Sequence, residues 1–247
     1  MIEMINREVT QAAIAMKEPT SSSYNNKVAI ILNGPPGCGK DTVAKLLCDI
    51  PHKQRCAGHG AAACDCPTLA YPCNEYTRHQ PLAHRQFKLH LYKATAAAFG
   101  IPVEQLITIA TDRSLKEASS TLLHGLSPRN ALIHISERHL KPTYGLDYLG
   151  RQEAAAVLYE WQQMPQFDAV YSDGGFISEL IPLKGVFDIV CIIRLHRDGF
   201  TFNGDSRSYI YPDYLDGLWS YDVILHDNEI TEGVNKIIDI YKRIKIA

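Results

Sequence analysis

Long apolar runs are missing from this 247-residue chain. Stretches such as Val28–Leu32 and Ile189–Ile193 stop at five residues, whereas a helix that crosses a bilayer needs about twenty. No membrane partner is expected. An excess of either charge is missing too: 25 Lys and Arg stand against 27 Asp and Glu, a formal net charge of −2. That removes the broad electrostatic reason to expect a nucleic acid. The opening "MIEMINREVTQ" carries acids early and has no apolar core, so it lacks the form of a secretion signal. Seven cysteines then read as reduced thiols or metal ligands, not as disulfides. The cytoplasm is the expected compartment.

What is present is an alternation of strand and helix signals. Residues 2–17 have the apolar spacing of a short amphipathic helix, and "PTSSSYNN" reads as a polar linker, so 1–26 form an extension to a domain spanning 27–247. Val28–Leu32, "DAVYSD", "DIVCIIRL" and "YDVILH" read as strands. Helices are expected from about Lys40 to Cys48, from Phe87 to Phe99, from Pro128 behind the cap residue Ser127, and over "EGVNKIIDIYKRI". This order implies an α/β fold with a mainly parallel sheet.

The first strand runs into "GPPGCGKDT", which fits G-x-x-x-x-G-K between a strand and a helix. Such a loop aims backbone N–H groups and a helix N-terminus at one point and so attracts anions. Lys40 would reach the β- and γ-phosphates of a bound nucleotide. The hydroxyl residue usual after the lysine is replaced by Asp41, which reads either as an outer-shell Mg²⁺ partner or as a first-turn acid suited to the helix dipole.

A second anion pocket is expected at the helix from Pro128. Arg129 in its first turn opposes the helix dipole unless an anion binds there. Asp112, Arg113, Lys116 and Glu117 stand at helical spacing and face either the acceptor or solvent. Asp173, at the end of "FDAVYSD", is a candidate Mg²⁺ ligand, with an Asp-Gly turn as its competing reading. The loop "HRDGFTFNGDSR" within 195–210 presents Arg197 and Arg207 as lid cations that neutralise a triphosphate, with Arg194 just before it. In 50–80, Cys56, His59, Cys64, Cys66 and Cys73 form either a structural Zn²⁺ site or a metal-free loop of scattered thiols.

Together, "GPPGCGKDT", "SPRNALIHISERHLKPTYGLDYLG", "SDGGFISEL", "RDGFTFNGDSR" and "YDVILHDNEITEGVNKI" resemble the P-loop nucleoside monophosphate kinases, most closely those of bacteriophage type that act on deoxynucleotides. The resemblance implies a three-layer α/β/α P-loop fold with an NMP-binding region and a lid. It implies transfer of the ATP γ-phosphate to a dNMP with Mg²⁺, in the host cytoplasm if the chain is phage-encoded; a homodimer is one possible assembly. By the same resemblance Gly37, Cys38, Gly39, Lys40, Asp41 and Thr42 hold the ATP phosphates, Arg129 serves the acceptor, and Asp227 and Asn228 lie near adenine. Two other readings stand beside it: a P-loop kinase for a phosphomevalonate- or dephospho-coenzyme A-type acceptor, and a zinc-containing nucleic-acid-binding protein.

Overall fold

Five strands form one parallel sheet in the computed structural model, which describes residues 26–49, 82–164, 166–212 and 217–245. The strands are β1 (Val28–Asn33), β2 (Leu82–Arg85), β3 (Asp168–Tyr171), β4 (Ile189–Arg197) and β5 (Leu218–Leu225), arranged β2-β3-β1-β4-β5. The expected α/β class with a parallel sheet is what the chain adopts. β1 is central, with Ala29–Ile31 in register with Ala169–Tyr171 of β3 and Val28–Asn33 in register with Ile189–Arg194 of β4. Strands covered on both faces read as continuous apolar runs, and β1 is buried at every position.

Alternate residues of β1 divide between two cores. Val28, Ile30 and Leu32 join Cys191 and Ile193 of β4 under α1 (Lys40–Asp49) and the C-terminal helix Ile230–Lys245. Ala29 and Ile31 join Val190, Ile192 and Tyr171 under the helix Tyr148–Gln163, which supplies Ala154 and Val157. Helices thus cover both sides of the sheet. A third core, away from the sheet, is built by α2 (Lys88–Phe99), α3 (Val103–Thr111) and α4 (Pro128–Ile135) through Tyr92, Ala96, Leu106, Ala110, Leu123 and Ala131. We number the helices Tyr148–Gln163 and Ile230–Lys245 α5 and α6.

The local signals act as their chemistry requires. Ser127 Oγ accepts from the Asn130 N–H at 3.2 Å and Pro128 opens α4. Gly100 ends α2 in the left-handed region at φ 65°, where a side chain would be strained. Asp112 to Glu117 do not continue a helix. Asp112 Oδ1 accepts from the N–H groups of Ser114 and Leu115 at 2.7 and 3.1 Å and from Ser114 Oγ at 2.5 Å, so the carboxylate organises a turn that ends α3. Residues 1–25 and 50–81 lie outside the described residues, and with them the N-terminal helix and the cysteine-rich stretch. Among the described residues, no single helix is long and apolar enough to cross a membrane.

At the amino-terminal edge of the sheet, Asp168 is fully buried. Its carboxylate accepts from the Val28 N–H at 2.8 Å, from the Tyr241 hydroxyl and from Lys245 Nζ at 2.8 and 3.0 Å. One acid therefore fastens β1 and α6 to β3. Removing one member of a buried charge pair leaves the other without compensation. Asp168→Ala is expected to lower stability by about 3–5 kcal/mol, read as a fall in the urea midpoint.

Candidate functional site

Charged and polar residues gather at the opposite, carboxyl end of the sheet. The chain leaves β1 toward β3 and β2, but leaves β4 toward β5, so a crevice opens where the two connections diverge. Open parallel sheets bind ligands at such a point. The loop from Gly34 to Gly39 follows β1 there, with Gly37 at φ 78° and Gly39 at φ 107°. These angles turn successive backbone amides toward one side, as an anion nest requires. Gly34 is needed for space: a Cβ there would lie 2.8 Å from Cys38 Sγ and 2.9 Å from the Leu195 carbonyl oxygen.

Lys40 begins α1 and folds back over the loop, donating from Nζ to the carbonyls of Gly34 and Pro35 at 2.6 Å each. Burial lowers its pKa from the ordinary lysine value, the Arg207 charge adds to this, and Cys38, Asp41 and Asp205 oppose it. Cys38 is fully buried and its thiol is pushed up by that burial, which makes it a packing residue and not a nucleophile. Thr42 is exposed on the first turn of α1.

Arg197 reaches the same loop from the end of β4. Its Nη1 donates to the Cys38 carbonyl at 3.3 Å, its Nε donates to Asp227 Oδ1 at 2.8 Å, and its guanidinium lies 5.0 Å from the Phe200 ring centroid. Arg207 stands deeper, its side chain laid across Gly175, where an added Cβ would meet its Cδ at 2.3 Å. It makes a bidentate pair with Asp205, Nε to Oδ1 at 2.8 Å and Nη2 to Oδ2 at 2.7 Å. Those bonds hold the Asp205 carboxyl down at about 2 against the opposing effect of burial, and the charge of Arg129 pulls the same way. One carboxylate is thus sensed by cations from three separate elements: Lys40 of the glycine loop, Arg129 of α4 and Arg207 of the 198–209 loop.

Arg129 is half exposed, with Nη1 3.4 Å from Glu117 Oε1. Its own N–H donates to the Lys116 carbonyl at 3.2 Å, so the 112–118 turn already satisfies part of the α4 N-terminus. Asp112 and Arg113 are exposed in that turn. Arg194 is a strut: buried, it pairs with Asp222 through Nε at 2.8 Å and Nη2 at 2.6 Å and donates to the Ile210 carbonyl at 3.2 Å.

Asp173 has both oxygens engaged by backbone at the start of α2, accepting from the N–H groups of Phe87 at 3.0 Å and Lys88 at 2.8 Å. Burial raises its pKa, and the two N–H bonds resist that rise. It therefore anchors α2 to β3. Its neighbour Ser172 donates from Oγ to Asp41 Oδ1 at 2.6 Å, and Gln86 Nε2 approaches both, at 3.2 Å from Ser172 Oγ and 3.4 Å from Asp41 Oδ1. His84 Nε2 lies 2.8 Å from the same hydroxyl. Asp41 and Ser172 thus place oxygen atoms beside the start of α1, whereas the Asp173 carboxylate, the candidate Mg²⁺ ligand, has both oxygens taken by α2. The zinc candidates Cys56, His59, Cys64, Cys66 and Cys73 lie outside the described residues.

Three residues at the site carry no local sequence signal. Asn33, buried at the end of β1, accepts from the Ile210 N–H at 2.9 Å and donates to the Ser208 carbonyl at 3.2 Å. Asp205 is the second. The third, Glu179, follows the Gly174-Gly175 turn, and a glutamate four residues after a glycine pair is not a signal by itself. Burial and the charge of Asp173 push the Glu179 carboxyl up to about 8, against the N–H groups of Gly175 and Phe176 and the charge of Lys141.

The unfolded chain releases the Glu179 proton near 4.5, whereas the folded chain holds it to about 8. The folded form binds the extra proton in that window, so this residue lowers stability as pH rises through it. Glu179→Gln is expected to flatten the fall of the urea midpoint between pH 5 and 8, relative to the native chain titrated in parallel. No protein-family model matches the chain, and no curated protein matches it.

Proposed function

We propose that the protein is a P-loop phosphotransferase that moves the γ-phosphate of ATP onto a deoxynucleoside monophosphate, giving ADP and a dNDP. The observation that carries this reading is the position of Asp205. Asp205 forms a bidentate pair with Arg207, its charge acts on Lys40, and the charge of Arg129 acts on it, so cations of α1, α4 and the 198–209 loop all bear on one carboxylate. A site of that form suits a phosphoryl group between two phosphorylated partners better than a single bound anion.

On this reading the glycine loop cradles the triphosphate with Gly37, Gly39, Lys40 and Thr42, and the acceptor monophosphate approaches from the side of Arg129. Lys40 exchanges its two carbonyl contacts for phosphate oxygens, and Arg207 exchanges Asp205 for the transferring group. Arg197, steadied by Asp227 and Phe200, stays on the loop backbone and fixes its shape. The acceptor oxygen is already anionic, so no side chain needs to act as a strong base. Catalysis is then alignment and neutralisation of charge. Asp41 and Ser172 are the residues best placed to hold water bound to Mg²⁺, which supplies charge neutralisation on the phosphates when bound; Asp173 backs them through α2. Lys40, Arg197 and Arg207 are partly buried, which strengthens their contacts, while Arg129 stays half exposed on the acceptor side.

The deciding experiment is a coupled assay with ATP·Mg²⁺ over all common NMPs and dNMPs, with phosphomevalonate and dephospho-coenzyme A as rival acceptors. Turnover restricted to dNMPs is expected, and turnover with a rival acceptor alone overturns the acceptor assignment. Lys40→Ala is expected to lower kcat at least about 100-fold with an unchanged circular dichroism spectrum; full activity would remove the loop from the reaction. Arg129→Ala is expected to raise KM for the acceptor at least tenfold more than KM for ATP, and equal effects would overturn the two-pocket arrangement.

A further inference from the structure

α4 does not end where its α-helical hydrogen bonding does. After Ile135 the backbone widens into a π turn over Ser136–Leu140 before one further α-turn, Lys141–Tyr144. Residues five apart in a regular α-helix project about 140° apart around the axis and cannot meet. The π turn takes up the excess and brings His134 and His139 together. Their Nε2 atoms are 3.2 Å apart, with ring centroids at 5.1 Å and planes inclined by 68°. Both side chains are exposed. Single π turns inserted in α-helices occur frequently at functional sites.

Two neutral imidazoles at this distance share one proton, the donor being fixed by tautomer. The same spacing has a second chemical meaning. A metal ion at the usual Zn–N distance of about 2.0–2.1 Å from both nitrogens would subtend an angle of about 100° between them, close to tetrahedral. The χ2 torsions of histidine are broad, so small ring rotations aim both lone pairs at one point. Glu137, between the two in sequence, is engaged by Lys141 Nζ at 2.6 Å and Ser136 Oγ at 3.1 Å. Among the described residues no set of three or more His, Cys, Asp or Glu side chains converges, so water would complete the coordination.

We propose that His134 and His139 form a chelating site for a borderline divalent transition metal, Zn²⁺, Ni²⁺ or Cu²⁺. Imidazole favours these ions, whereas Mg²⁺ requires oxygen ligands, so the site does not compete for the ion of phosphoryl transfer. It stands whether or not the phosphotransferase reading does. Its structural effect is to lock the π turn. The inner residues of that turn, Ser136 and Leu140, line a cavity of about 200 Å³ with Lys141, Tyr148, Phe176 and Glu179, so metal binding on the surface would stiffen one wall of that cavity.

The test is calorimetric titration of the full chain with ZnCl₂ at pH 7.5, for the native protein, His134→Ala and His139→Ala. Thiols and histidines in 50–80 contribute equally to all three and cancel in the comparison. The native chain is expected to bind one equivalent more than either variant, and His139→Gln, which keeps a polar side chain, is expected to lose the same equivalent. Substoichiometric Ni²⁺ is expected to broaden the assigned ring resonances of His134 and His139 together. Equal stoichiometry across the variants, or broadening of neither or only one ring, overturns the site.

Discussion

The crevice depends on a single buried amide. Asn33 closes the central strand, and its side chain receives the Ile210 N–H and gives hydrogen bonds to the carbonyls of Ser208 and, at the 3.5 Å limit, Gly174. These partners belong to the end of the arginine-bearing loop and to the turn after β3. One side chain thus sets the separation of the three connections that surround the crevice. An apolar residue of the same size would leave buried backbone groups unpaired, at a cost of about 1–3 kcal/mol each. With the loop held at Ser208 and Ile210, only the portion nearer Gly199 and Gly204, both at positive φ, is released to change shape.

Within that frame the cations are held by internal partners. Lys40 leans on two carbonyls, Arg207 on Asp205 and Arg197 on Asp227. Each arrangement avoids a desolvated charge without compensation. The Asp173 contact with α2 works differently. It spends both carboxylate oxygens on two backbone N–H groups and so links the sheet to the helical core that carries Arg129. The distance between the N-terminal ends of α1 and α4 is set by that joint.

Much of the scaffold was legible in the sequence because its signals are local. Four of the five strands are apolar runs, the glycine loop announces its own backbone angles, and Ser127-Pro128 marks a helix start within two residues. β2 was not legible: "LAHR" is four residues long, lies at a sheet edge, and owes its conformation to pairing with β3. α3 and α5 went unread as well. The acid–base spacing from Asp112 to Glu117 looks helical, but the short Asp112 side chain competes for backbone N–H groups and wins. Asp205 and Arg207 are two positions apart and could have been paired from sequence, but the influence of Arg129 on that carboxylate joins residues some 75 positions apart, which no window of sequence contains.

The central place of β1 has a consequence for how the protein is made. Both strands that flank it, β3 and β4, lie more than a hundred residues downstream, so the first strand emerges from the ribosome long before either neighbour exists. Until they arrive, an apolar segment ending in the glycine loop has no edge to join. Pairings this distant in sequence fold slowly and leave sticky surface exposed meanwhile. The nascent chain is therefore a natural client for chaperones, and the loop gains its shape only when synthesis is well advanced.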